Sequence, residues 1–131
     1  MTEFPLIIAL AFEAARLLGS SAIADLPAVQ VLSAPEMRKL CGECIGAYKR
    51  PVVMLRDDID LSTVHGRAVL LHELVHHHQE MTGRYGLTHS CNRYRNREIE
   101  AIHVMHQWLD ECMEPRFGFH SIPPECDPAS A

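Results

Sequence analysis

The chain carries His72-Glu73-Leu74-Val75-His76 inside a long stretch of helical periodicity. In a helix, residues four apart lie one turn apart on one face, so both imidazoles can reach a single ion. Glu73 follows the first histidine and lies to the side, where it reaches a metal-bound water instead of the metal. Zn²⁺ with three protein ligands and an open fourth position lowers the pKa of that water to about 7. Glu73 would take the proton and pass it to a leaving group. His72 and His76 are therefore candidate metal ligands, and Glu73 is the candidate general base. The competing reading is a histidine-rich surface helix, because His76-His77-His78 covers most of a turn.

A third protein ligand has to come from elsewhere. A metzincin would continue with Gly and His where this chain has Gln79 and Thr82, which excludes that class. The remaining common solution is a glutamate on a second helix, and Arg97-Glu98-Ile99-Glu100-Ala101 supplies two. Glu98 shares the apolar face of Ala101, Ile102, Met105, Leu109 and Cys112, so it points toward a packed neighbour. Glu100 shares the wetter face of His103, Val104, Gln107 and Glu111. Glu98 is the favoured ligand. It could instead pair with Arg95 or Arg97, and Glu100 is the alternative ligand or a hydrogen-bond acceptor for His72 or His76. This donor set and the Irving–Williams order favour zinc.

The elements that must position these groups follow from periodicity and turn chemistry. Residues 5–18 read as a helix stopped by Gly19. Val29–Leu32 reads as a short strand, and Ser33-Ala34-Pro35-Glu36 is a capping box that starts a helix running to Leu40. Ile45–Lys49 and Val52–Arg56 read as a hairpin turned at Arg50-Pro51, with Pro51 favouring an edge position. The motif helix is expected over Thr63–Met81, ended by Thr82-Gly83. After a loop over Arg84–Ser90, a second long helix should run from Asn92 to Met113. Domain 1–113 is then followed by an extended tail, 114–131, rich in proline and small residues.

With 131 residues, 47 % hydrophobic, the chain has the length and composition of one folded domain. A net charge of -5 argues against a nucleic-acid surface, and no stretch has the length of a membrane span. The apolar run Leu6–Phe12 is interrupted by charge at Glu13 and Arg16 and preceded by Glu3, so it reads as an ordinary helix instead of a signal peptide. Cytoplasmic and exported locations both stay open. There are five cysteines, Cys41, Cys44, Cys91, Cys112 and Cys126. The Cys41/Cys44 pair closes a helix and lacks the second CxxC of a zinc ribbon, so buried thiols or disulfides are the expectation.

Other residues are given plainer roles. His65 lies two turns before His72 and reads as a surface or rim residue. One of His103 and His106 could stand near the metal as an outer donor. Tyr85, Tyr94, His89 and His103 are candidates for stabilising an oxyanion. Trp108 and the methionines at helical spacing read as core.

An HExxH followed by a glutamate on a later helix resembles the gluzincin arrangement of the zincins. Glu98-Ile99-Glu100-Ala101 resembles the ExxA signature of minimal gluzincin-like domains, in which the first glutamate is the ligand. More narrowly, His72-Glu73-Leu74-Val75-His76-His77-His78-Gln79, then Cys91 and Arg97–Ala101, is similar to a small bacterial zincin-like family of unknown function. The likeness covers residues 40–110. It implies an α+β fold: a minimal zincin-like domain with two long packed helices carrying the metal site beside a short sheet, plus the N-terminal helix. Members are often exported, which favours disulfides, with Cys44–Cys91 the implied pair.

The leading functional reading is a zinc-dependent hydrolase, a small metallopeptidase acting on a peptide or protein. The strand Val52–Leu55 would accept an extended substrate at the sheet edge. A non-catalytic zincin-scaffold binding module with a structural zinc is the alternative. A metal-handling protein exploiting nine histidines is a third.

Overall fold

A computed structural model describes residues 4–21, 25–86, 90–118 and 125–126. The fold is α+β, with elements in the order α1 (Phe4–Leu18), β1 (Ala28–Leu32), α2 (Ala34–Cys41), β2 (Gly46–Lys49), β3 (Val52–Arg56), α3 (Val64–Thr82) and α4 (Cys91–Glu111). The boundaries follow local chemistry. Ser33 caps α2, accepting from the Glu36 amide while Glu36 reaches back to the Ser33 amide. Thr63 caps α3 and accepts from the Gly66 amide. A side chain at Gly66 would stand 2.0 Å from the Asp60 carbonyl, so this first turn admits only glycine. Gly83, in the left-handed conformation, closes α3.

The sheet corrects one expectation. Strand order is β1-β3-β2, with β1 parallel and β2 antiparallel to β3. Val52–Arg56 is therefore the central strand, and both of its edges are used. Pro51 sits in the turn before it and removes no ladder donor. A peptide cannot add to Val52–Leu55; the outer edges belong to β1 and β2.

Helix α3 is buried on nearly every side. The sheet covers it through Val53 and Leu55, α1 through Leu10 and Ala14, and α4 through Met105 and Leu109, all in one core with Val69, Leu71 and Val75. Each residue from Ala68 to Gln79 is buried, polar ones included. His76-His77-His78 is thus not a surface run. His77 Nε2 lies 2.7 Å from the Asp25 carbonyl, His77 Nδ1 lies 2.9 Å from the Tyr48 hydroxyl, and His78 Nε2 lies 3.1 Å from Ser20 Oγ. These contacts satisfy groups that burial would otherwise penalise. Trp108, Met37 and Met105 are buried, as their helical spacing suggested, and Met54 is buried on β3, whereas Met113 is exposed beyond the end of α4.

The cysteine pairing also differs from the expectation. Cys91 is bonded to Cys126, with Cα atoms 5.9 Å apart, and Cys44 to Cys41. Cys44–Cys91 is therefore not formed, because Cys44 is held next to its own helix end. Cys112 is free and exposed, although its spacing had placed it on the apolar face of α4. The start of the tail is pinned. Phe117 stacks on His65 at a centroid distance of 4.0 Å, and its carbonyl lies 2.9 Å from His106 Nε2. No helix of the described residues is long and apolar enough to cross a membrane.

Candidate metal centre

Helix α3 presents His72 and His76 one turn apart, and α4 brings Glu98 against them. His72 Nε2 lies 3.2 Å from Glu98 Oε1, and His76 Nε2 lies 2.8 Å from Glu98 Oε2. The two rings meet edge-on with centroids 5.0 Å apart. One potential ligand atom from each of the three residues lies within 4.8 Å of the others. Among the described residues, this is the group of histidine, cysteine and carboxylate side chains arranged to hold a metal ion. Two imidazole nitrogens and a carboxylate, buried and converging, form a donor set that fits a divalent transition metal.

The local reason for Glu98 is the apolar face of α4. Glu98 is buried in line with Ala101, Ile102, Met105 and Leu109, so packing α4 onto α3 carries it inward. It pairs with the histidines. Glu100 faces elsewhere: both of its oxygens lie 2.9 Å from Arg84 Nε, and Oε1 accepts from Gln79 Nε2 at 3.0 Å. Glu100 makes no direct contact with either histidine among the described bonds.

Without an ion, the three groups hold one another electrostatically. Burial disfavours a charged Glu98, but its bonds to His72 and His76 outweigh that cost and hold its carboxyl far below the usual range. Burial likewise opposes protonation of His76, and there the Glu98 bond and the Glu73 charge prevail and raise its pKa. His72 goes the other way, with burial dominant and its pKa lowered. A cation shared by all three would take over the part now played by the His76 proton.

Glu73, His76 and Glu98 open onto a cleft of 260 Å³, lined also by Ala47, Tyr48, Glu80, Tyr94 and Arg97. The cleft runs beside β2. Gly46, at the start of β2, packs directly on Glu73. Glu73 is almost fully buried, so little water screens its carboxylate. The arrangement joins a candidate ligand cluster, a buried carboxylate beside it and the outer edge of β2, which is unpaired among the described residues.

Of the oxyanion candidates, Tyr94 is in this cleft. Tyr85 and His103 line a separate groove with Arg84 and Glu100, and His89 lies outside the described residues. Neither His103 nor His106 serves as an outer donor: His103 is exposed in that other groove, and His106 is engaged with Phe117. His65 is exposed on its stack with Phe117. Sequence reasoning passed over Gln79, whose Oε1 lies 2.9 Å from His76 Nδ1. Its position three residues after His76 was the available signal, since that spacing returns to the same helix face. No family model, no curated protein and no solved structure matches the chain.

Proposed function

We propose that the protein is a zinc-dependent hydrolase, a small metallopeptidase with a zincin-like site. The observation that carries this reading is the buried convergence of His72, His76 and Glu98 beside Glu73 at one cleft. Those three residues would hold the ion. Zinc there supplies Lewis acidity, polarising a carbonyl and making water acidic enough to act near neutral pH. Glu73 takes the proton released from the attacking water and delivers it to the departing amine. Its placement supports that role: the carboxylate is buried and lines the same cleft as His76 and Glu98. The outer edge of β2 supports a peptide substrate: an extended chain adding there would run past Ala47 and Tyr48 and across the cleft. Glu73 also favours turnover over the alternative, a binding module with a structural zinc, because a structural site has no use for a base.

The test is metal content of untagged protein by mass spectrometry, together with cleavage of a fluorogenic peptide library. One zinc per chain, lost in His72→Ala and Glu98→Ala, is expected. Glu73→Gln should keep the zinc and lose cleavage. Absence of zinc after reconstitution, or zinc retained in both ligand variants, overturns the centre. Zinc held by a protein that cleaves no peptide in the library turns the reading to the binding module.

A further inference from the structure

Gln79 is 2 % exposed, at the end of the buried stretch of α3, and its amide is engaged on both sides. A glutamine oxygen only accepts, so its 2.9 Å contact requires that His76 Nδ1 carry a proton and donate it. On the other side, Gln79 Nε2 donates to the Arg97 carbonyl at 3.1 Å and to Glu100 Oε1 at 3.0 Å. Rotating the amide by half a turn would set its oxygen against those two acceptors. The network thus fixes the direction of the amide, and the amide fixes the proton on His76. With Nδ1 committed as donor, Nε2 is the nitrogen left to face Glu98 and an ion.

Glu100 is in turn held by Arg84, whose Nη2 lies 2.8 Å from Oε2. The two carboxylates of the ExxA segment therefore divide the work. Glu98 enters the centre itself, and Glu100, two residues on, reaches around to the amide that orients the opposing histidine. Each contact in the line Arg84–Glu100–Gln79–His76 satisfies the next, and the burial of Gln79 and His76 makes the contact between them costly to leave open.

We propose that Gln79 is a positioning residue of the His72/His76/Glu98 centre, fixing the tautomer and angle of His76 with Glu100 and Arg84 behind it. This rests on the metal-centre reading. Groups in this position commonly alter metal affinity by 10–100-fold when removed. The polarity of the line gives a signature that simple packing lacks. Gln79→Leu removes the amide's contacts to His76, the Arg97 carbonyl and Glu100, and Glu100 keeps Arg84. Gln79→Glu keeps an acceptor for His76 but sets a carboxylate against Glu100. Adding Glu100→Gln to Gln79→Glu reverses the amide and carboxylate positions and restores a donor between them.

The experiment has two readouts on full-length protein: zinc affinity by competition with a chromophoric chelator, and the His76 ring N–H resonance in zinc-free, ¹⁵N-histidine-labelled protein. Thermal melts check folding. We expect a sheltered Nδ1–H signal in the wild type that is lost in Gln79→Leu, with zinc affinity down roughly 10–100-fold. Gln79→Glu should also bind weakly, and Gln79→Glu/Glu100→Gln should recover part of the loss, because the donor toward position 100 returns while the Arg97 carbonyl still meets a carboxylate. Unchanged affinity in folded Gln79→Leu, or a double variant no better than Gln79→Glu, overturns the proposal. If Gln79→Leu does not fold, the comparison between Gln79→Glu and the double variant decides. A wild type that binds no zinc, with a ring signal that still depends on Gln79, sinks the metal centre and leaves the orienting role standing. A ring signal indifferent to Gln79 sinks the orienting role itself.

Discussion

Gly46 on β2 touches Glu73 on α3: a Cβ at position 46 would stand 3.1 Å from Glu73 Oε2 and 3.0 Å from Val69 Cγ1. The missing side chain is what lets the strand lie against the motif helix and narrows the space open to the Glu73 carboxylate. Val69 is fully buried in the core and has little room to yield. Gly46→Ala is therefore expected to cost about 1–3 kcal/mol, the usual range for overpacking. Urea unfolding measures it. On the proposed metallopeptidase reading, the same variant should keep its metal while peptide cleavage falls, because Glu73 gives way more easily than Val69. A stability equal to wild type would mean that strand and helix are free to separate.

The motif helix, the second helix and the inward face of Glu98 were legible because each rests on short-range pattern: period, caps, and apolar residues at helical spacing. What was not legible depends on residues far apart in the chain. Pro51 suggested an edge, but parallel pairing of Ala28–Leu32 with Val52–Arg56 makes β3 central, and no local signal encodes that partner. Cys91 finds Cys126 across 35 residues, and neither sequence position announces the other. The competing reading places His77 and His78 in a surface run. They are buried because Asp25 and Ser20, on the connection after α1, fold over them. Gln79 reveals its use only when α4 brings the Arg97 carbonyl and Glu100 to its amide.

His77 gives a pH prediction independent of the ligands. Its Nε2–H donates to the Asp25 carbonyl, so its Nδ1 must accept from Tyr48, and that arrangement needs a neutral ring. Burial is the main cause that lowers its pKa from 6.5, with the Arg50 charge assisting. The folded state thus refuses a proton that the unfolded chain accepts. The associated stability is present above pH 6.5 and is lost as pH falls below it, with a slope of up to about 1.4 kcal/mol per pH unit. In His77→Gln the fall in unfolding free energy from pH 7 to 5.5 should be smaller than in wild type. Equal slopes would place the acid sensitivity elsewhere.

The Cys91–Cys126 bond ties the tail to the first residue of α4, the helix that carries Glu98. Its loop of 35 residues restricts the unfolded chain, and breaking it should cost about 2–4 kcal/mol. The comparison is Cys91→Ser/Cys126→Ser against Cys41→Ser/Cys44→Ser by denaturant unfolding under oxidising conditions. The first pair should lose clearly more stability, since Cys41 and Cys44 are separated by only 3 positions. The reverse order would show that the tail contributes little to holding α4.

Two tyrosines line the cleft, and their bonding separates them. Tyr48 has one proton and spends it on His77 Nδ1, which can only accept because His77 Nε2 is the donor to Asp25. Tyr48 cannot donate to a substrate without breaking that bond. Tyr94 stands one turn before Glu98 on α4 and is 54 % exposed. Its pKa is raised by partial burial first and then by the charges of Glu98 and Glu73, so its phenol stays protonated and able to donate. A donor beside the reacting carbonyl stabilises the oxygen as negative charge develops on it. Tyr94→Phe removes the hydroxyl and little else. If Tyr94 fills that role, kcat should fall by roughly 10²–10³-fold with zinc content and melting temperature unchanged. The same loss in KM instead of kcat would make Tyr94 a binding contact. No change in either would remove Tyr94 from that role.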